Sequence, residues 1–127
     1  MNTGATRRRE LIRAYKERPI QAGVFQIKNV ENGKVLLGSS LNLEGVFNKT
    51  RFLLGLGSFR NPTLQWEWHA RGADAFVFEV LETVTPRDDP YFDLVDELTL
   101  LEEIWLERLC PYGDAGYNVE GADIRQV

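Results

Sequence analysis

The chain has 127 residues, of which 43% are hydrophobic and 27% are charged, so it can bury one core and is too short for two domains. A single cysteine, Cys110, and a single histidine, His69, exclude an internal disulfide and a zinc site built from these two residue types. No apolar stretch approaches the roughly 20 residues of a membrane-spanning helix. No apolar segment follows Arg7–Arg9, so we do not expect these arginines to begin a secretory signal. We therefore expect a cytoplasmic protein without a membrane partner.

Charge is divided unevenly along the chain, although the net charge is only −4. Residues 1–20 hold six cations and two carboxylates, whereas residues 82–110 hold nine carboxylates and two arginines. Two explanations stay open: the segments attract each other, or they serve a partner. The net negative charge argues against a protein coated in DNA-binding charge.

Residues 1–20 are predicted to form a basic extension with one short helix. The helix covers Ala5–Glu17, has Leu11, Ile12 and Tyr15 as its apolar side, and is stopped by Pro19. Its run of three arginines either contacts a phosphate backbone or is a solvated helix end.

A β-hairpin is predicted next. Ala22–Val30 alternates as a strand does, and Val35–Gly38 follows as its partner. Asn32-Gly33 between them is the strongest short-range signal for a hairpin turn.

Two helices are predicted after the hairpin. Leu41–Leu54 has helical apolar spacing, and Ser39 and Ser40 before it either cap this helix or bind phosphate at its N-terminus. Glycines within Gly55–Gly57 end it, and Asn61-Pro62 opens a second helix that reaches about Ala70.

The last predicted elements are a strand and a long helix. Ala75–Leu81 is rich in β-formers, and Pro90–Leu109 is the longest helix, which Pro111 prevents from continuing. Cys110 at the helix end is interpreted as a buried or half-buried thiol. Strands next to helices indicate an α+β domain with a small sheet covered by helices.

Glu102 interrupts the apolar face of the last helix. At about 100° per residue it lies at about 40° from Leu98, between Leu109 and Val95, inside the apolar arc. An unpaired buried carboxylate is costly, so it needs a partner, a metal or access to a cleft. The alternative is an edge carboxylate bonded to an arginine or to backbone amides.

Several segments in order resemble the GIY-YIG nuclease family. Gly23-Val24-Phe25, ten residues and Leu36-Leu37-Gly38-Ser39-Ser40 are similar to its two-part signature. Later segments of this chain resemble the middle and end of that domain. They are Leu64-Gln65 with Trp68, Gly72–Phe76, Phe78–Glu82, Leu101-Glu102, Leu106, Leu109, Pro111 and Tyr117-Asn118. The resemblance covers about residues 21–118, which leaves residues 1–20 as the extension and 119–127 as a tail.

The resemblance implies both a fold and a chemistry. The fold is a three-stranded mixed or antiparallel sheet flanked by helices, and the chemistry is DNA cleavage with one divalent metal, Mg²⁺ or Mn²⁺. The family's metal-binding glutamate falls on Glu102, its late asparagine on Asn118, and the glycine that keeps the site floor open on Gly38.

Four catalytic positions of the family are substituted in this chain. The two motif tyrosines fall on Phe25 and Leu36, the phosphate-binding arginine on Val46, and a frequent histidine on Thr50. None of these four side chains can supply the corresponding phenol, guanidinium or imidazole. Lys49 and Arg51 are candidates to replace the lost arginine, and Arg51 is a candidate binding residue. On a helix, however, they point about 60° and 140° away from Val46, which favours a solvated surface charge for Arg51.

We therefore predict an impaired GIY-YIG-like domain that binds nucleic acid, DNA or RNA, or a protein. A working metal-dependent endonuclease with a rearranged site is the first alternative, with Glu102 as the metal ligand. A subunit of a larger assembly without nucleic-acid contact is the second. The sequence does not predict an oligomeric state.

Overall fold

The computed structural model describes Arg9 and residues 20–120. The predicted N-terminal helix lies outside these residues, except for Arg9, which is helical and exposed. Most of the predicted tail, residues 121–127, also lies outside them.

Three strands and three helices make up residues 20–120. The strands are β1 (Ala22–Asn29), β2 (Val35–Ser40) and β3 (Phe76–Val84), and the helices are α1 (Leu43–Leu56), α2 (Pro62–Arg71) and α3 (Leu94–Leu109). Two single 3₁₀ turns, Ala73–Ala75 and Gly113–Ala115, precede β3 and follow α3. This order confirms the predicted α+β class.

The sheet is antiparallel throughout, with the strand order β2-β1-β3. The β1–β2 turn closes with hydrogen bonds from the Asn29 amide to the Lys34 carbonyl and from the Gly33 amide to the Asn29 carbonyl, at 2.9 and 2.8 Å. Gly33 has a φ of 78°, which glycine adopts without strain. The predicted hairpin is therefore confirmed.

The start of α1 differs from the prediction. Ser39 and Ser40 belong to β2, and the side chain of Asn42 caps the helix by accepting a hydrogen bond from the Gly45 amide at 2.9 Å. The helix continues through Gly55 and ends at Gly57, whose φ of 78° places it in the left-handed region. The cap prediction for the serines was wrong because the strand uses their backbone.

The long helix begins four residues later than Pro90. The Asp93 carboxylate accepts hydrogen bonds from the amides of Val95 and Asp96 at 2.9 and 3.2 Å, and this cap fixes the first turn. At the other end, Cys110 has a φ of 43° and is exposed, so the prediction of a buried or half-buried thiol was wrong. The left-handed backbone ends the helix there, and the side chain lies at the surface beside the Glu107 carbonyl.

The sheet separates two apolar clusters. Phe25, Ile27 and Leu36 pack with side chains of α1 and α2 on one face. Val24 and Leu37 pack with side chains of α3 on the other face. Between Val24 and Phe25 the pairing with β3 shifts by one residue, which leaves Leu81 as a bulge that packs on the α3 side.

Within residues 20–120 we find no helix with both the length and the apolar character needed to cross a membrane.

Candidate functional site

The four positions that the resemblance assigns to catalytic residues lie together, on the side of the sheet that α1 covers. Phe25, Leu36 and Val46 belong to one buried apolar cluster, and only 1% of Phe25 is exposed. Thr50 is also buried and follows Val46 by one turn on the same face of α1. The structure thus brings these four positions together, but it packs their side chains into the core.

Aromatic contacts fill the space beside Phe25. Its ring meets Phe47 edge to face at 5.4 Å, and Phe47 meets Phe78 at 5.5 Å. The Arg51 guanidinium lies 4.2 Å from the ring centre of Phe78 and 6.0 Å from that of Phe47. Such cation–π contacts hold the arginine on the aromatic surface.

Ser39 and Glu102 form a polar pair on the opposite side of the sheet. Side chains alternate along β2, so Ser39 shares a face with Leu37, and it lies opposite Val24 in the register. Its hydroxyl donates a hydrogen bond to Oε2 of Glu102 on α3. Ser39 is fully buried and Glu102 is 8% exposed, so the carboxylate that interrupts the apolar arc is held by this hydroxyl.

Gly38 and Asn118 contact the same strand. Gly38 is buried and lies directly opposite Phe25 in the register of β1 and β2. Asn118 forms two hydrogen bonds with the backbone of Leu37: its Oδ1 accepts from the amide at 2.8 Å, and its Nδ2 donates to the carbonyl at 2.9 Å. The asparagine therefore fixes the position of the residue next to Ser39.

The residues around Glu102 fit a hydrated divalent ion poorly. Mg²⁺ takes one or two carboxylates and keeps several waters, which need space. Here one carboxylate oxygen accepts the Ser39 hydrogen bond, and the side chain is almost closed off from solvent. Across the described residues, no group of three or more histidine, cysteine, aspartate or glutamate side chains could hold a metal. Binding of Mg²⁺ or Mn²⁺ at Glu102 stays a prediction.

A second buried polar cluster, which we did not predict, joins the β1–β2 turn to α2. The Nδ2 atoms of Asn29 and Asn32 donate to Oε1 of Glu67 at 3.5 and 2.5 Å. Oε2 of Glu67 and the hydroxyl of Tyr117 are buried and form no hydrogen bond with the described residues. Burial raises the pKa of Tyr117 to about 12, and the negative charge of Glu67 adds to this shift.

One signal in the sequence could have identified Glu67. It follows Leu64 by three residues, so both lie on the same face of α2 and both are buried. Asn29 and Tyr117 approach this carboxylate only through the tertiary fold, which helical spacing does not predict.

Charge separates the two sides of the sheet. Residues 41–72, which contain α1 and α2, hold four cations and two carboxylates, and Glu67 is one of the two and is buried. The four cations are all exposed: Lys49, Arg51, Arg60 and Arg71. Residues 77–110, which contain α3 and most of β3, hold ten carboxylates and two arginines. The α1–α2 side therefore has an excess of cations, of which Arg71 forms a salt bridge with Glu31 at 2.9 Å, and the α3 side is strongly negative.

Comparison with known proteins identifies the architecture. A mutant of the catalytic domain of intron endonuclease I-TevI is 27% identical, with a TM-score of 0.66, and the match covers 83% of this chain and 99% of that one. The catalytic domain of homing endonuclease I-TevI is 29% identical, with a TM-score of 0.62 and coverage of 80% and 99%. No family model and no curated protein matches the sequence. Since both structures are GIY-YIG catalytic domains, this chain has a GIY-YIG-like nuclease-domain fold, as the resemblance in its sequence predicts.

Proposed function

We propose that this GIY-YIG-like domain binds nucleic acid and has lost most of the family's hydrolytic chemistry. One observation carries the proposal: Phe25, Leu36 and Val46 occupy three positions where the resemblance implies two phenols and a guanidinium, and all three lie in a buried apolar cluster. A phosphodiester cannot be polarised by hydrocarbon side chains. Loss of one group that stabilises transition-state charge costs about 10²–10³ in rate, and several such groups are missing together.

The α1–α2 side is the surface proposed for binding. Its exposed cations would neutralise phosphates, and the exposed rings of Phe52 and Trp66 on the same two helices offer surfaces on which unpaired bases can stack. The α3 side would repel a polyanion because of its excess of carboxylates. Nucleic acid is therefore proposed to approach from the α1–α2 side only.

A matched pair of double variants tests the binding surface. Lys49→Glu with Arg51→Glu reverses two cations on α1, and Arg87→Glu with Arg108→Glu reverses two cations on the acidic side. Binding to labelled single- and double-stranded DNA and RNA is measured by fluorescence anisotropy over a salt series. The α1 variant is expected to weaken binding at least about tenfold and to lower the salt slope by about two, because each phosphate contact contributes about one. The other variant should bind as the unmodified chain does.

Two results would contradict this proposal. Equal losses in both variants would show that the contact is not on α1, and no binding at low salt would favour a protein partner or a subunit of a larger assembly without nucleic-acid contact. Far-UV circular dichroism of each variant confirms that it is folded before binding is compared.

An active endonuclease with a rearranged site is the second candidate, because the resemblance in the sequence assigns the metal-binding glutamate to Glu102. The chain is incubated with the same nucleic acids and Mg²⁺ or Mn²⁺, beside Glu102→Ala. Metal-dependent cleavage that this variant abolishes would establish the endonuclease and overturn the proposed loss of chemistry. Absence of cleavage by a chain that binds supports the first proposal.

A further inference from the structure

A groove runs between the end of β3 and α3, on the acidic side of the domain. It has a volume of about 260 Å³. Its lining includes three residues at the end of β3 and just after it, Thr83, Val84 and Thr85, and three residues of α3, Leu100, Leu101 and Ile104. Leu100 and Ile104 are 53% and 42% exposed. Two large aliphatic side chains therefore form an open apolar wall along α3.

The chain enters β1 next to this groove. Ala22, the first residue of β1, lies opposite Val84, the last residue of β3, in the antiparallel register. Val84 itself lines the groove. The segment 1–19 is therefore connected to β1 at the end of the sheet that borders the groove.

Charge favours the approach of this segment. Residues 1–19 hold six cations and two carboxylates, whereas α3 holds five carboxylates and one arginine. Two carboxylates, Glu82 and Glu97, and one cation, Arg87, lie among the residues that line the groove, so its lining is negative by one charge. At an ionic strength of 0.15 M, charges within about 8 Å of each other still interact, so opposite charges on a tethered segment stay effective.

We propose that residues 1–19 dock in this groove as a basic amphipathic helix of the same chain. Leu11, Ile12 and Tyr15, the apolar side predicted for this segment, cover Leu100 and Ile104, and the cations face the carboxylates of α3. A helix over the 13 residues Ala5–Glu17 would be about 20 Å long, and the 16 residues of α3 span about 24 Å, so one can lie along the other.

If the segment docks in this way, the basic residues 1–19 and the acidic α3 region contact each other within the same chain. The basic segment would neutralise part of the α3 surface rather than bind phosphate. The proposal does not depend on nucleic-acid binding by the α1–α2 side.

Disulfide trapping in the full chain tests the contact. In a Cys110→Ser background, Leu11, Ile12 and Tyr15 are replaced in turn by cysteine and paired with Ile104→Cys. The same three are paired with Phe52→Cys as the control, because Phe52 is 65% exposed on α1, across the sheet from α3. Under mild oxidation at low protein concentration, at least one Ile104 pair is expected to close about tenfold faster than its control, since a disulfide needs Cα atoms about 4.4–6.8 Å apart. High salt should reduce this difference.

The trapping rates and a second measurement decide the outcome. Equal closing rates for the Ile104 and Phe52 pairs would overturn the proposal, and disulfide-linked dimers in place of closed monomers would show that the segment binds a second copy. As a measurement without engineered cysteines, the methyl signals of Leu100 and Ile104 are compared between the unmodified chain and Leu11→Asp. Shifts confined to these methyls support docking, and unchanged signals contradict it.

Discussion

Asn118 pairs with Leu37 as a neighbouring strand would. Its carboxamide accepts a hydrogen bond from the Leu37 amide at 2.8 Å and donates one to the Leu37 carbonyl at 2.9 Å, on the edge of β2 that does not face β1. The segment after α3 is thereby fixed to the sheet beside Ser39. The family asparagine position has a structural role in this chain.

Replacing Asn118 should therefore destabilise the fold. Asn118→Ala leaves the amide and carbonyl of the fully buried Leu37 unpaired, and each unpaired group costs about 1–3 kcal/mol. We expect the free energy of unfolding, measured by urea denaturation, to fall by about 2–6 kcal/mol in total. Asn48→Ala, at an exposed position of α1, is the control and should change stability by less than about 0.5 kcal/mol. A similar small effect at Asn118 would contradict the role assigned to it.

An arginine introduced at position 46 is not expected to produce DNA cleavage. Val46 is buried in the apolar cluster, so Val46→Arg places a charge without a partner in the core and is expected to cost about 3–5 kcal/mol of stability. Asn48→Arg introduces the same side chain at a solvent-exposed position of the same helix and should cost little. Thermal unfolding and a cleavage assay with Mg²⁺ check both variants. A stable Val46→Arg variant that cleaves DNA would show that the cluster opens readily.

Tyr117 should make stability depend on alkaline pH. Burial raises the pKa of Tyr117 to about 12 in the folded chain, above its ordinary value of 10.0, so above pH 10 the unfolded chain loses this proton while the folded chain keeps it. The contribution of Tyr117 is fully present below pH 10 and is lost as the pH rises from 10 to about 12. Urea denaturation at pH 8 to 12 should show this decline, and Tyr117→Phe should flatten it.

The same variant tests whether the hydroxyl has a hydrogen-bond partner. The Tyr117 hydroxyl lies beside Asn29, Asn32 and Glu67 without a well-formed hydrogen bond, so Tyr117→Phe is expected to reduce stability at pH 8 by less than about 1 kcal/mol. Tyr91→Phe, whose ring is almost fully exposed, is the control and should leave the pH profile unchanged. A loss of more than about 1 kcal/mol at pH 8 would indicate that a partner satisfies the hydroxyl.

Glycine at position 110 should stabilise α3. Cys110 has a φ of 43° and a ψ of 59°, a conformation that costs a non-glycine residue about 1–2 kcal/mol. Relief of this strain in Cys110→Gly is expected to raise the free energy of unfolding by about 1 kcal/mol, and the larger conformational entropy of glycine in the unfolded chain reduces this gain. Cys110→Ala keeps the strain and serves as the control. Equal stability of the two variants would show that the strain is negligible.

Local signals in the sequence were sufficient to predict the order of the described elements. Asn32-Gly33 predicted the hairpin turn, and Asn61-Pro62 predicted the start of α2. Both predictions succeed because each residue pair determines only the backbone conformation of its own turn. Errors occurred where two local signals compete. Ser39 and Ser40 suit both a cap and a strand, and pairing with β1 decides for the strand.

The candidate site was less predictable than the fold. Helical spacing identified Glu102 as a carboxylate on an apolar face, but its partner Ser39 lies 63 residues earlier and meets it only across the sheet. Burial of Val46 and Leu36 likewise depends on how α1 packs on the sheet. Contacts between distant segments determine a site, and spacing within one element does not describe them.

The extra residue at Leu81 affects how β3 meets other molecules. β3 is an edge strand with exposed Val77 and Val80, and a straight edge of this kind can recruit further strands and form aggregates. The bulge breaks the regular spacing of amides and carbonyls and increases the local twist, so an incoming strand cannot pair along the whole edge. A bulge of this kind is one of the features by which edge strands resist edge-to-edge pairing.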